Sequence, residues 1–115
     1  YSGRTAMLIF HLNAILKELK DWCERAPQSV REVLIFGSVA RGDFTPDSDI
    51  DVLVVADDIT EAKKFFSKIA DEIYLKYWVP ITVIYVETER IRNPNKQTSF
   101  LRTVVKEGKV LWKKS

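Results

Sequence analysis

Apolar residues recur at helical spacing from Thr5 to Arg25, at Leu8, Leu12, Ile15, Leu16, Leu19 and Trp22. This pattern predicts an amphipathic helix that Ala26-Pro27 ends. The period then changes. Val33-Leu34-Ile35-Phe36 and Val52-Leu53-Val54-Val55 are short unbroken apolar runs, and both read as strands. Helical spacing returns from Ile59 to Tyr77 through Ala62, Phe65, Phe66, Ile69 and Ile73, with Thr60 the expected N-cap and Glu61 beside it in the first turn. Pro80 precedes a third strand, Ile81–Glu87. Arg92-Asn93-Pro94-Asn95 is a turn cluster, Thr98 to Glu107 reads as a short helix closed by Gly108, and Val110-Leu111-Trp112 is a terminal apolar stub. The predicted order is αβ(α)βαβα: an α/β (α+β) chain with a small mixed sheet and helices packed on it.

The 115 residues suffice for one domain with a real core, spanning 1–115, and leave no room for a separate acceptor-binding domain. A content of 46% hydrophobic and 30% charged residues is that of a globular protein. The formal charge of +2 is too small to mark a nucleic-acid binder, and Arg90, Arg92, Lys96 and Arg102 read as a solvated basic face. Cys23 is the single cysteine, so it cannot form an internal disulfide. Its place in a helical pattern suggests packing in a reducing, cytoplasmic setting. Leu8-Ile9-Phe10 is too short for a signal-peptide core, and no membrane-spanning segment is expected. His11 is the only histidine, which excludes a Ser-His-Asp triad and any histidine-based metal cluster. Trp22 is expected in the core, whereas Trp78, Tyr85 and Trp112 could form an exposed aromatic patch.

The candidate chemistry lies between the first two strands. Gly37 ends a strand and permits a sharp turn, and Ser38 offers a hydroxyl and an N–H to a phosphate oxygen. Val39-Ala40-Arg41-Gly42 allows one helical turn, which brings Arg41 near the same anion or the following loop. After ten intervening residues, Ser38 is followed by Asp49-Ile50-Asp51. Residues i and i+2 of a strand share a face, so the two carboxylates converge. At about 4 Å and an effective dielectric of about 20 they repel by roughly 4 kcal/mol, a cost that a bound divalent cation removes. Oxygen ligands beside a phosphate favour Mg²⁺ or Mn²⁺ over Zn²⁺. Ser48 is placed to hydrogen-bond one carboxylate. Taken singly, Gly-Ser is also a common turn and Asp-x-Asp a common solvated strand start; it is their combination between two strands that points to a nucleotide site.

Gly37-Ser38, Arg41-Gly42-Asp43 and Ser48-Asp49-Ile50-Asp51 together resemble the signature of the DNA polymerase β-like nucleotidyltransferase superfamily, in particular its minimal single-domain (MNT) members. The similarity runs from the helix before Val33 to Leu111. The resemblance implies a Mg²⁺-dependent transfer of a nucleoside monophosphate, with ATP the expected donor. Gly37, Ser38, Arg41 and Ser48 would lie on the nucleotide, and Asp49 and Asp51 would be the catalytic metal ligands. It also implies a partner: MNT proteins are often antitoxins of HEPN-domain toxins, in some systems by adenylylating a toxin tyrosine. A homo-oligomer is a further possible assembly.

One position departs from the family pattern. A third Asp is expected on the strand at Ile81–Glu87, and Thr82 stands there, a far weaker ligand for Mg²⁺. Glu87 lies five residues on, roughly 17 Å along the strand and on its other face, so it is a poor substitute. Asp43 and Asp47 read as turn residues unless their loop folds back. The loss bears mainly on the metal that activates the acceptor. Three functions follow: an active transferase acting on a partner protein, an antitoxin that binds nucleotide and works by covering its toxin, and transfer to a small molecule such as an aminoglycoside. The last is disfavoured because those enzymes carry additional structure for the acceptor.

Overall fold

The computed structural model describes residues 2–115, with side chains from residue 11 onward. Its elements are α1 (Ser2–Cys23), β1 (Val30–Phe36), α2 (Ser38–Arg41), β2 (Ile50–Ala56), α3 (Ile59–Tyr77), β3 (Ile81–Glu87), α4 (Thr88–Arg92), a 3-10 turn (Pro94–Lys96), α5 (Ser99–Glu107) and β4 (Lys109–Lys113). The sheet order is β3-β2-β1-β4. β3 runs parallel to β2, whereas β1 is antiparallel to both β2 and β4, so the sheet is mixed as expected.

Strand alternation divides the core between two faces. Val33, Ile35, Ile50, Val52 and Val54 pack with Ile15 and Leu19 of α1 and with Ala62, Phe66, Ile69 and Ile73 of α3. Leu34, Phe36, Leu53, Val55 and Val86 pack with Leu101 and Val104 of α5. The two central strands are therefore covered on both sides, which is why they read as unbroken apolar runs rather than as alternation. Burial of a side chain such as Phe66 or Ile69 contributes about 1.5–3 kcal/mol. Cys23 is buried, and desolvation raises its thiol to about 12, in keeping with a packing role. The expected contribution of Leu8, and the run Leu8-Ile9-Phe10, lie outside the described side chains.

Three expectations are corrected, and one element is added. The N-cap of α3 is Asp58 rather than Thr60: its carboxylate accepts from the Glu61 N–H at 3.1 Å. The stub at 110–112 is a full edge strand, because Lys109 pairs with Ile35 and Trp112 with Val33 along the open side of β1. Thr88–Arg92, to which the sequence pattern gave no element of its own, forms the one-turn helix α4. The aromatic patch that Trp78, Tyr85 and Trp112 could have formed is dispersed. Tyr85 and Trp112 pack against the larger core cluster, and Trp78 instead stands 74% exposed with its ring edge-on to Tyr74. No helix among the described residues is long and apolar enough to cross a membrane.

Candidate functional site

The ends of β1 and β2 meet because the strands are antiparallel: Phe36 pairs with Asp51. The parallel neighbour β3 then sets Thr82 opposite Asp51 and Ile81 opposite Ile50. A bond from the Ile50 N–H to the Pro80 carbonyl, 3.0 Å, ties the start of β2 to the segment entering β3. One end of the sheet thus gathers Gly37, Ser38, Asp49, Asp51 and Thr82.

Gly37 has φ 72 and ψ −147, a conformation that essentially only glycine adopts. A Cβ added there would lie 2.1 Å from Oδ2 of Asp51. Two constraints therefore coincide: the turn needs left-handed φ, and the carboxylate occupies the space a side chain would fill. Ser38 follows as the first residue of α2, whose single turn closes at Gly42 (φ 86), where the Gly42 N–H donates to the Ser38 carbonyl at 2.9 Å. The Asp43 N–H reaches the same carbonyl at 3.0 Å. Arg41 is held in the loop by its Nε, 3.5 Å from Asp43 Oδ2, and its charge also acts on Asp51. Of the two places expected for Arg41, near the anion or near the following loop, the Asp43 contact corresponds to the second.

Asp49 is exposed just before β2, and Asp51 is partly buried one pleat further on. Burial raises the Asp51 carboxyl above its ordinary value, the Asp49 charge adds to this, and Arg41 opposes it. The pair is thus close enough for mutual repulsion. Thr82 Oγ1 donates to Asp49 Oδ2 at 3.1 Å, which links the residue at the third-carboxylate position directly to the pair. Among the described residues no group of three or more His, Cys, Asp or Glu side chains is arranged to hold a metal. The donor set that remains, two carboxylate side chains, suits a hard divalent cation that brings other oxygen ligands with its substrate.

Ser48 is not where the sequence suggested. Its Oγ accepts from the Thr45 N–H at 3.0 Å and lies 3.0 Å from Thr45 Oγ1, so it pins the loop before Asp49 instead of bonding a motif carboxylate. Glu87 pairs with Ala56 at the opposite end of the sheet, away from the motif, and Asp43 is engaged with Arg41. The spacing of the motif did not disclose the aromatic pair next to it. Phe36 lies on the Asp51 face, and the Phe100 ring of α5 meets it edge-on, with centroids 6.2 Å apart. The available signal was that Phe100 falls outside the buried Leu101 and Val104 stripe of its helix.

Comparison with known proteins agrees with this architecture. The family pattern described as "Nucleotidyltransferase domain" matches residues 15–111. A relative named "Putative protein adenylyltransferase MJ0604", from Methanocaldococcus jannaschii, is 40% identical over 83 residues, covering 72% of this chain and 79% of its own. A chain of a toxin-antitoxin crystal structure with AMP-PNP superposes with a TM-score of 0.62 at 20% identity, covering 87% of this chain and 74% of its own. A chain of the tri-AMPylated Shewanella oneidensis HEPN toxin in complex with MNT antitoxin gives a TM-score of 0.57 at 16% identity, covering 89% and 72%. At those identities the two structures speak for the fold.

Proposed function

Since the chain belongs to the nucleotidyltransferase domain family, we propose that it binds ATP and transfers AMP to a hydroxyl of a partner protein, as the antitoxin of a HEPN-domain toxin. The adenylyltransferase name of the M. jannaschii relative supports the reaction, and the structural neighbours solved with AMP-PNP and with a HEPN toxin support donor and partner. In this reading Gly37 and Ser38 line the turn that receives the triphosphate, with Arg41 adding positive charge. Asp49 and Asp51 would hold Mg²⁺ or Mn²⁺, which when bound neutralises their mutual repulsion and the charge of the triphosphate. The acceptor oxygen forms a bond to the α-phosphorus, the bond from that phosphorus to pyrophosphate breaks, and the hydroxyl proton is released.

The observation that carries the reading is the convergence of Gly37, Asp49, Asp51 and Thr82 at one sheet end. The last of these also defines a second reading. Thr82 is a neutral hydroxyl already spent on Asp49 Oδ2, so it brings no charge to the acceptor side. Transfer is then slow, and in the limit the protein neutralises its partner by contact alone. The decisive experiment is incubation with α-phosphate-labelled ATP, Mg²⁺ and a HEPN-domain partner. Label on the partner that disappears in Asp49→Asn supports transfer. No label, with partner binding intact, supports the contact mechanism. Thr82→Asp is expected to raise labelling; no gain would count against the role given to this position.

A further inference from the structure

Phe100 is 55% exposed, while Leu101 and Val104 of the same helix are buried. Its one ring neighbour among the described residues is Phe36, 9% exposed, with an interplanar angle of 82°. A T-shaped contact of this kind occupies an edge or one face of a ring, so at least one face of Phe100 is left open. A solitary exposed aromatic is unremarkable. What distinguishes this one is its position. Phe36 is the residue before Gly37 and the strand partner of Asp51, so Phe100 stands one ring beyond the turn and the carboxylates, on the same side of the sheet. Directly opposed residues are about 5 Å apart at Cα. With the length of the Phe36 side chain and the 6.2 Å ring separation, the Phe100 ring lies on the order of 10–15 Å from Asp51. That is the scale on which a nucleotide separates its base from its phosphates.

We propose that Phe100 is the platform on which the base of the bound nucleoside triphosphate stacks, with Phe36 as the buttress that fixes its ring. This rests on the triphosphate reading of the Gly37 to Asp51 site and adds where the base goes. It carries a consequence for selectivity. A ring face recognises π-surface, not hydrogen-bonding edges, so purines are favoured over pyrimidines by stacking area, with little discrimination between adenine and guanine.

The probes that separate base from phosphate are ATP and inorganic tripolyphosphate, each titrated calorimetrically with Mg²⁺ present. The native chain is expected to bind both, ATP more tightly. Phe100→Ala should weaken ATP by roughly 5- to 100-fold, the range for losing one base–aromatic stack, and leave tripolyphosphate within about twofold. Phe100→Leu keeps apolar packing on Phe36 without an aromatic face and should behave as Phe100→Ala, whereas Phe100→Trp should restore ATP binding. Native-like ATP affinity in the Ala and Leu variants overturns the proposal, and so does an equal loss of both ligands. A native chain that binds neither ligand overturns the triphosphate reading itself, and this inference with it.

Discussion

The two ends of the sheet treat charge in opposite ways. At the end where β1 begins and β2 finishes, Arg31 directs Nε and Nη2 at one oxygen of Asp57, 2.8 and 2.6 Å away, and Lys114 reaches both the carbonyl and the side chain of Gln28 at 2.6 Å. The Asp57 carboxyl is accordingly held below its ordinary value by the Arg31 hydrogen bond. At the other end Asp49 and Asp51 face one another, Asp51 is pushed above its ordinary value, and the nearby Arg41 is drawn towards Asp43. At one end the carboxylate is paired with a cation of the chain, and at the other two carboxylates repel each other, an imbalance that a cation from outside the chain can relieve. This contrast, rather than the depth of any cavity, is what singles out that end as the candidate site.

The sharpest way to break the contrast is Gly37→Ala. The new Cβ would collide with the Asp51 carboxylate and hold a φ that L-residues avoid. Strain of that kind costs about 1–3 kcal/mol, and relief requires Asp51 to move. We expect a clear fall in Tm and loss of Mn²⁺ and ATP binding by at least about 100-fold, equivalent to roughly 3 kcal/mol, measured by thermal melts and calorimetry. An equivalent cut at the other end leaves ligand binding untouched.

Next in size is a pair of substitutions with opposite signs. Asp51→Asn removes a repulsive, partly desolvated charge and should raise the Tm of the ligand-free protein by roughly 2–5 °C while abolishing cation binding, a trade of stability against function. Asp57→Asn removes a satisfied ion pair and should lower Tm without affecting the cation. If both variants move Tm in the same direction, the electrostatic contrast is wrong.

Much of this was legible in the sequence. Strand and helix identities follow from period, and the absence of a third carboxylate at Thr82 could be read from the family resemblance, whereas the parallel register that sets Thr82 against Asp51 is seen only in the structure. The errors have local causes. Asp58 and Thr60 are both good capping residues two positions apart, and only the geometry decides where the helix starts, which it does at Asp58 through the Glu61 N–H. Val110-Leu111-Trp112 is too short to declare itself a strand, and it becomes one because the edge of β1 is open to it. Ser48 had two nearby acceptors and donors, and the loop's own turn took it. Phe100 was hidden for another reason: the helical period marks it only as lying off the buried stripe, and its meeting with Phe36 across a long sequence separation leaves no periodic trace.

The same contrast can be read by pH. Asp51, raised, destabilises the fold while ionised, and that penalty is relieved as pH falls through its folded value, above the ordinary 3.8. Asp57, lowered, contributes stability that is full above 3.8 and is lost as pH falls through its folded value beneath it. Carboxyl chemical shifts followed by NMR should therefore show Asp51 titrating first and Asp57 last, with stability holding or rising through the first step and falling through the second. Divalent cation should remove the first step and leave the second unchanged.

The smallest expected effect concerns strain that lies outside both ends. Trp78 closes α3 at φ 61, the only non-glycine among the described residues with positive φ. An L-residue in that region costs about 1–2 kcal/mol, which glycine avoids. Against this stands the edge contact with Tyr74, worth about 0.5 kcal/mol at an exposed position, and little burial, since the indole is 74% exposed. Trp78→Gly should therefore leave Tm unchanged or raise it by no more than about 4 °C, whereas Gly37→Ala lowers it. Both substitutions act on a left-handed residue, one relieving strain and the other creating it. Only the second touches Asp51, so nucleotide binding should fail in the alanine variant and persist in the glycine one. A Trp78→Gly variant that lost nucleotide affinity would show that the segment entering β3, tied to Ile50 through Pro80, holds the carboxylates in place as much as the glycine turn does.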